Sequence, residues 1–357
     1  METLRSYGFS DADDAAFAAL GRADLVPARV VAVNRGNYDM VCARGALRGE
    51  PTGRLLFATD DAQELPVVGD WVAVQLLNDD TFALVHDVLP RRSRLRRKDP
   101  GRSVEYQMLA SNIDVAFCVQ SADRDFNPHR LERYFVMIRD GGIDPVVLIS
   151  KIDLTDGALR DELRRAVERV AGGARCIMLS ARTGEGVADF RASLSAGSTS
   201  CLLGSSGVGK STLLNTLLGT AHFATQEVRE ADHRGRHTTT RRQLVRLDNG
   251  ALLVDTPGMR ELGNIGAETG IAETFGDIQT LIAQCRFSDC THTQEKGCAV
   301  LAALERGDLD ADRFEHYLKL QREAAYYQRS YVERRQRDKE FGKMVKSIMK
   351  GKGDKRA

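Results

Sequence analysis

Apolar residues in this chain fall in short runs broken by turn formers, and the spacing of those runs changes twice along its length. Between residues 27 and 90, β-like runs alternate with Gly, Asn and Asp turns. They are Arg29–Val33, Tyr38–Val41, Arg54–Phe57, Asp70–Val74 and Thr81–Val85. Strands so short and closely spaced predict a small closed barrel, most naturally an OB-fold, with an SH3-like barrel or plain meander as the alternative. From about residue 104 to 265 the runs separate and helical stretches lie between them. Strands are expected at Ile113–Val119, Val146–Ile149, Cys176–Leu179, Cys201–Leu203 and Ala251–Val254, with helices at Pro128–Arg139 and Ser211–Leu218. Such alternation builds a parallel sheet covered by helices on both faces. Lys319–Ile348 reads as a long charged helix, frayed at Gly351–Gly353. The expected organisation is a helical or flexible leader (1–26), a barrel with a basic linker (27–98), an α/β domain (99–265) and a last domain (266–357).

Length and composition fit this picture. A chain of 357 residues with 42% hydrophobic content can support two or three cores. No apolar run approaches the roughly 20 residues that span a bilayer, and Met1–Ser6 lacks the basic-then-apolar design of a signal peptide. A soluble, cytoplasmic, monomeric protein with reduced cysteines is expected. Net charge is only +1, yet residues 313–356 carry fourteen Lys/Arg against six Asp/Glu. With Tyr326, Tyr327 and Tyr331 interleaved, that tail leans towards a nucleic-acid backbone. A second block, Arg91–Lys98, holds six cations and no acid, and suits a phosphate surface or a solvated linker equally well.

The candidate chemistry begins at Gly204-Ser205-Ser206-Gly207-Val208-Gly209-Lys210-Ser211, a full G-x-x-x-x-G-K-[ST] loop between a strand and a helix that runs on through Thr212. Glycines let successive N–H groups turn inward around a phosphate at a helix N-terminus. Lys210 is placed to reach the β- and γ-phosphates and the Ser211 hydroxyl to bind Mg²⁺. Downstream, Asp255-Thr256-Pro257-Gly258 closes an apolar strand. Asp255 there can hold Mg²⁺ through water, and the Gly258 N–H can sense a γ-phosphate. Between them lies Arg236-His237-Thr238-Thr239-Thr240. One of these threonines, with Thr239 and Thr240 the candidates, is a suitable Mg²⁺ ligand in a segment that orders around the γ-phosphate.

Ser150-Lys151-Ile152-Asp153 ends another apolar strand, ahead of the phosphate loop. An Asp153 carboxylate there can accept from the guanine N1–H and 2-amino group, which adenine does not offer, while the Lys151 stem lies across the base. Ser180-Ala181 also precedes the loop, and the Ala181 N–H can meet the guanine O6. The usual first residue of the base-reading element is Asn, whose amide braces the phosphate loop; Ser150 in its place predicts modest nucleotide affinity. Met259 follows Gly258 where many GTPases carry the Gln that orients water. Slow intrinsic hydrolysis is expected, with water positioned by a partner or by a group such as His237.

Cys285, Cys290, His292 and Cys298 spell C-x₄-C-x-H-x₅-C. Three thiols and an imidazole match a closed, structural, tetrahedral Zn²⁺ site. The other cysteines, Cys42, Cys118, Cys176 and Cys201, sit in strand-like contexts as buried thiols.

Taken together, the barrel, the base-reading elements ahead of the phosphate loop, the Arg236–Thr240 segment, the 255–258 turn, the Cys/His cluster and the basic tail resemble the bacterial ribosome small-subunit-dependent GTPase A family. The resemblance runs from about Val26 to the C-terminus. It implies a circularly permuted P-loop GTPase domain of α/β class, flanked by an N-terminal OB-fold and a mostly helical zinc domain. It also implies that the chain binds the small ribosomal subunit and its rRNA, and hydrolyses GTP to GDP under that subunit's stimulation late in its maturation. Two rivals are a P-loop ATPase or kinase with a zinc appendage, against which Asp153 argues, and a non-enzymatic RNA-binding module. Against the second stand Lys210, Ser211 and Asp255, which a mere scaffold would not need together.

Overall fold

The computed structural model describes residues 2–34, 36–58, 62–78, 80–98, 106–123, 126–219, 242–255 and 267–327. Its first five strands are β1 (Val26–Val33), β2 (Tyr38–Cys42), β3 (Gly45–Pro51), β4 (Trp71–Leu77) and β5 (Phe82–Val88). They pair in the order β1-β2-β3-β5-β4, and β4 returns to β1, so the sheet closes on itself. All pairings are antiparallel except β3 with β5. Alternate positions turn inward, and Val30, Met40, Leu47, Val72, Val74, Ala83 and Val85 fill the interior.

One expectation for this region is corrected. Arg54–Phe57 is not a strand; residues Gly53–Ala58 form a helix after β3. Thr52 Oγ1 accepts the Leu55 N–H at 3.2 Å, starting the turn, and only Leu55 packs on the barrel core while Phe57 is 91% exposed. The leader takes the helical of its two expected forms and is packed. Helices Glu2–Ser6 and Asp11–Ala18 carry it, the second opened by a reciprocal Ser10–Asp13 capping box. Leu4 and Phe9 bury against Trp71 and Leu89, with the Phe9 and Trp71 rings 4.7 Å apart edge to face.

Most of the basic block lies on a paired strand. Residues Arg94–Lys98 form β6, paired antiparallel with β7 (Tyr106–Ser111). Arg91 clamps the fully buried Asp70 with Nε–Oδ1 and Nη2–Oδ2 both at 2.7 Å. Arg92 pairs with Asp114 at 3.2 Å, and Arg96 with Asp140 at 2.9 Å while stacking over Tyr106. Half of the block's cations thus answer acids of this same chain.

The central sheet contains β8 (Val115–Ser121), β9 (Asp144–Ser150), β10 (Cys176–Met178), β11 (Thr199–Leu203), β12 (Gln243–Arg246) and β13 (Leu252–Asp255), in the order β10-β9-β8-β11-β13-β12. All are parallel except β12, which runs antiparallel to β13 and touches β1 through Ala32 and Gln243. Helices Pro128–Asp140 and Gly157–Ala171 bury Leu131, Phe135, Leu163 and Val167 on one face. Helices Val187–Ala192 and Lys210–Leu218 bury Phe190, Leu213, Leu214 and Leu217 on the other. Arg29, fully buried, ties barrel to sheet by donating to Thr199 Oγ1 at 3.0 Å and the Asn112 carbonyl at 3.2 Å.

Beyond the sheet, helices Glu268–Thr274, Gly276–Ile282 and Ala299–Arg306 and a helical stretch over 311–327 share a core of Ile271, Phe275, Ile278, Val300, Phe314 and Tyr317. Gly270 lets this unit approach helix Pro128–Asp140 closely: a Cβ there would lie 2.0 Å from the Val136 carbonyl.

Candidate nucleotide site and metal centre

Strands β8, β9, β10, β11 and β13 all release their loops at carboxyl ends on one edge of the sheet, the usual ligand position in an open α/β fold. The phosphate loop leaves β11 there. Gly204 passes so near β8 that a Cβ would stand 2.4 Å from the Val119 carbonyl. Gly207 and Gly209 take φ of +83° and +94°, which L side chains resist, and helix Lys210–Leu218 starts at the next residue. Val208, 1% exposed, pins the loop from beneath. Lys210 Nζ donates to the Gly204 and Ser205 carbonyls at 2.7 and 2.6 Å. Burial lowers its pKa to about 8, against the pull of Asp255. Asp255, at the end of β13, is raised by the same burial, with Lys210 opposing.

Ser150 ends β9 and is buried. Its hydroxyl donates to the Val208 carbonyl at 2.6 Å, with the Gln120 carbonyl 3.2 Å away. A serine hydroxyl therefore braces the phosphate loop at the position where the base-reading element usually carries an Asn amide. Lys151 sits in the left-handed region (φ +60°), its Nζ 3.0 Å from Asp123 Oδ2. Ile152 is buried in the core beneath.

Asp153 and Ser180, distant in sequence, meet at the ends of neighbouring strands. Ser180 Oγ donates to Asp153 Oδ1 at 2.5 Å, and Arg182 Nη2 lies 2.7 Å from Oδ2. The Ser180 hydroxyl, with Arg182 beyond it, holds Asp153 below the usual carboxylate range. The Arg182 and Thr183 N–H groups in turn reach Ser180 Oγ at 3.3 and 3.2 Å, fixing its orientation, and Ala181 lies in the same turn.

Ser150–Asp153, Ser180–Ala181, the 204–212 loop and Asp255 are thus gathered on one edge. Three further residues join them that sequence reasoning did not name. Asp123 holds Lys151 and accepts from Ser121 Oγ at 2.7 Å; Arg182 covers Asp153; Arg130 Nη1 donates to Ser205 Oγ at 2.9 Å. Asp123 was legible in principle, since it follows the β8 run at the ligand edge. Nothing local marks Arg130. His237, Thr238, Thr239, Thr240 and Gly258 lie outside the described residues, as does the tail from residue 328.

On the C-terminal unit, ligand atoms of Cys285, Cys290, His292 and Cys298 all lie within 4.8 Å of one another. His292 Nδ1 is 3.6 Å from Cys285 Sγ and 3.4 Å from Cys298 Sγ. Cys298 caps helix Ala299–Arg306 through the Leu301 N–H at 3.4 Å. Although desolvation opposes it, the Ala299 and Val300 N–H groups keep the Cys285 thiol below its ordinary pKa, towards the thiolate that binds metal. The donor set fits one metal ion.

Comparison with known proteins follows this geometry. Residues 88–265 match the family model described as RsgA GTPase. A protein of Opitutus terrae named small ribosomal subunit biogenesis GTPase RsgA is 45% identical, over 91% of this chain and 90% of its own. The chain belongs to the RsgA GTPase family. A family member of the same name from Xanthomonas campestris pv. campestris is 42% identical over 90% of this chain and 89% of its own. Among solved structures, YjeQ from Thermotoga maritima superposes with a TM-score of 0.62 at 26% identity, covering 83% of this chain and 97% of its own. YloQ, described as a circularly permuted GTPase, superposes at 0.60 and 23% identity, covering 83% and 94%. Membership in the RsgA family makes the chain a GTP hydrolase, and the strand that leads into Asp153 precedes the phosphate-loop strand as a permuted order requires.

Proposed function

We propose that this chain binds the small ribosomal subunit and hydrolyses GTP during its late maturation, with the subunit stimulating turnover. The observation that carries the reading is the junction of a phosphate loop with an Asp153–Ser180 base-reading pair, in a chain whose RsgA relatives are small-subunit biogenesis GTPases along almost their whole length.

In this reading the 204–212 backbone cradles the phosphates and Lys210 turns from the Gly204 and Ser205 carbonyls to the β- and γ-oxygens. Asp153, pre-set by Ser180, accepts the guanine N1–H and 2-amino protons once Arg182 moves aside. Lys151 lies over the base and the Ala181 N–H meets O6. Ser211 and Asp255, with Thr239 or Thr240, would hold Mg²⁺, which supplies charge neutralisation to the phosphates. No glutamine follows Gly258, so His237 or the ribosome positions the water.

The flanking parts suit attachment to a ribonucleoprotein. Strand order β1-β2-β3-β5-β4-β1 with β3 parallel to β5 supports an OB-fold, and the basic tail supports contact with rRNA. The Cys₃His cluster fits a structural zinc, since four protein ligands leave no open position. Taken together these parts suit a leader (1–26), barrel (27–98), GTPase (99–265) and zinc domain (266–357) working as a cytoplasmic monomer. No helix among the described residues is long and apolar enough to cross a membrane.

The test is GTP turnover by the full chain alone, with small subunits, and with large subunits. Stimulation by the small subunit only, abolished by Lys210→Ala, is expected. Equal rates in all three conditions would leave a GTPase but overturn the ribosomal partner.

A further inference from the structure

Among the described residues one other group of metal-ligating side chains converges: His129, Glu132 and His316, whose ligand atoms lie within 4.8 Å of one another. His129 and Glu132 stand three apart on helix Pro128–Asp140 and so share a face. His316 comes from the helical stretch over 311–327 in the C-terminal unit. The carboxylate of Glu132 is fully buried. Its Oε1 is taken by Arg313, which also grips Asp277 through two 3.0 Å contacts. Its Oε2 faces two imidazoles at once, His316 Nδ1 at 2.5 Å and His129 Nδ1 at 3.2 Å.

Hydrogen bonding alone does not complete this cluster. Both rings lie on one oxygen, which can accept from each, but Nε2 of His316, a residue 7% exposed, is buried without a partner. Two imidazoles and a carboxylate are instead the donor set of borderline transition dications, zinc foremost. Arg313 on the other carboxylate oxygen provides the outer-shell contact that orients such a ligand. His129 is half-exposed, which opens a path for a cation. The two rings, with centroids 4.5 Å apart, close the site from opposite helices.

We propose that His129, Glu132 and His316 form a second zinc site, separate from the Cys₃His cluster, that clasps the C-terminal unit to the α/β domain. Its placement gives it consequence. The same helix, one residue after His129, carries the Arg130 that holds Ser205 of the phosphate loop. The clasp therefore fixes the C-terminal unit on a helix that also contacts the nucleotide edge.

The test uses the full chain equilibrated with a small excess of Zn²⁺, freed of loose metal by gel filtration and analysed for zinc content. Two equivalents per chain are expected in the wild type. His129→Gln and His316→Gln should each retain one and bind the other at least tenfold more weakly, with basal GTP turnover unchanged. His129→Gln alters a half-exposed side chain, so its folding is not at issue. Co²⁺ substitution separates the sites, because only the cysteine cluster gives thiolate charge-transfer bands; the second equivalent should add none. A single equivalent in the wild type would reduce the cluster to hydrogen bonds and overturn the proposal. So would a second equivalent that survives in both variants.

Discussion

Ser150 illustrates how a single hydroxyl can replace an expected amide. Its bond to the Val208 carbonyl reaches from β9 to the phosphate loop, and both residues are buried. Removing it leaves a buried carbonyl short of its partner, at about 1–3 kcal/mol. Ser150→Ala should weaken GDP binding by roughly tenfold or more, measured by titration of a fluorescent nucleotide, while Ser150→Asn should bind within a few-fold of wild type. Equal affinity in Ser150→Ala would mean that the loop holds itself. At Asp153 the prediction concerns identity rather than strength. Asp153→Asn exchanges one acceptor oxygen for a donor, so guanine nucleotides should lose about a hundredfold, two charge-assisted bonds being at stake, and xanthine nucleotides should gain. Competition between GDP and XDP decides it. Lys210 adds a pH dependence. Burial disfavours its charged form, so in the free protein it is cationic below about 8 and loses its proton above. Phosphates bind the cation; nucleotide affinity should hold from pH 6 to 7.5 and fall towards tenfold per unit past 8, a fall absent in Lys210→Ala.

At the scale of elements, what could be read from sequence depended on range. The α/β alternation was legible because buried parallel strands are continuous apolar runs, and Val146–Ile149 and Cys201–Leu203 fall inside β9 and β11. The phosphate loop and the Cys/His spacing are local motifs, so their members could be named before their neighbours were known. Arg54–Phe57 misled because a four-residue apolar run carries no period; the turn that decides it begins at Thr52, and Phe57 points outward. In the Arg91–Lys98 block the partners of Arg91, Arg92 and Arg96 were out of sight for a different reason. Its acids lie elsewhere in sequence, at Asp70, Asp114 and Asp140, and no local pattern announces such pairings. Gly270 belongs to the same class: only the fold reveals the Val136 carbonyl against its Cα. Gly270→Val should force helix Glu268–Thr274 off helix Pro128–Asp140 and destabilise the chain by more than about 2 kcal/mol. Thermal unfolding would show it, and an unchanged midpoint would mean that the contact yields freely.

At the scale of the whole molecule, helix Pro128–Asp140 is where the parts meet. One face, with Leu131 and Phe135, lies on the sheet. Arg130 touches the phosphate loop, Arg133 forms a two-pronged pair with Glu323 at 2.7 and 2.9 Å, and Val136 joins the C-terminal core. Nucleotide edge and C-terminal unit are therefore read by one rigid element, yet each has its own apolar core. That separation predicts an asymmetric response to loss of the zinc proposed for the Cys₃His cluster. Structural zinc contributes on the order of 10 kcal/mol to small domains, comparable to the whole stability of an ordinary one, about 5–15 kcal/mol. The short helices around Cys285–Cys298 should not hold their arrangement without it. Cys290→Ser should lose the cysteine-bound zinc, lower the helical signal of the C-terminal unit and split melting into two transitions. GDP affinity should stay within about threefold of wild type, because Ser150, Asp153 and the phosphate loop are held by the sheet. In the proposed reading the C-terminal unit takes part in engaging the small subunit, so stimulation of turnover by that subunit should vanish with it. If GDP binding were lost together with stimulation, nucleotide site and metal unit would be one cooperative body rather than two units joined by this helix.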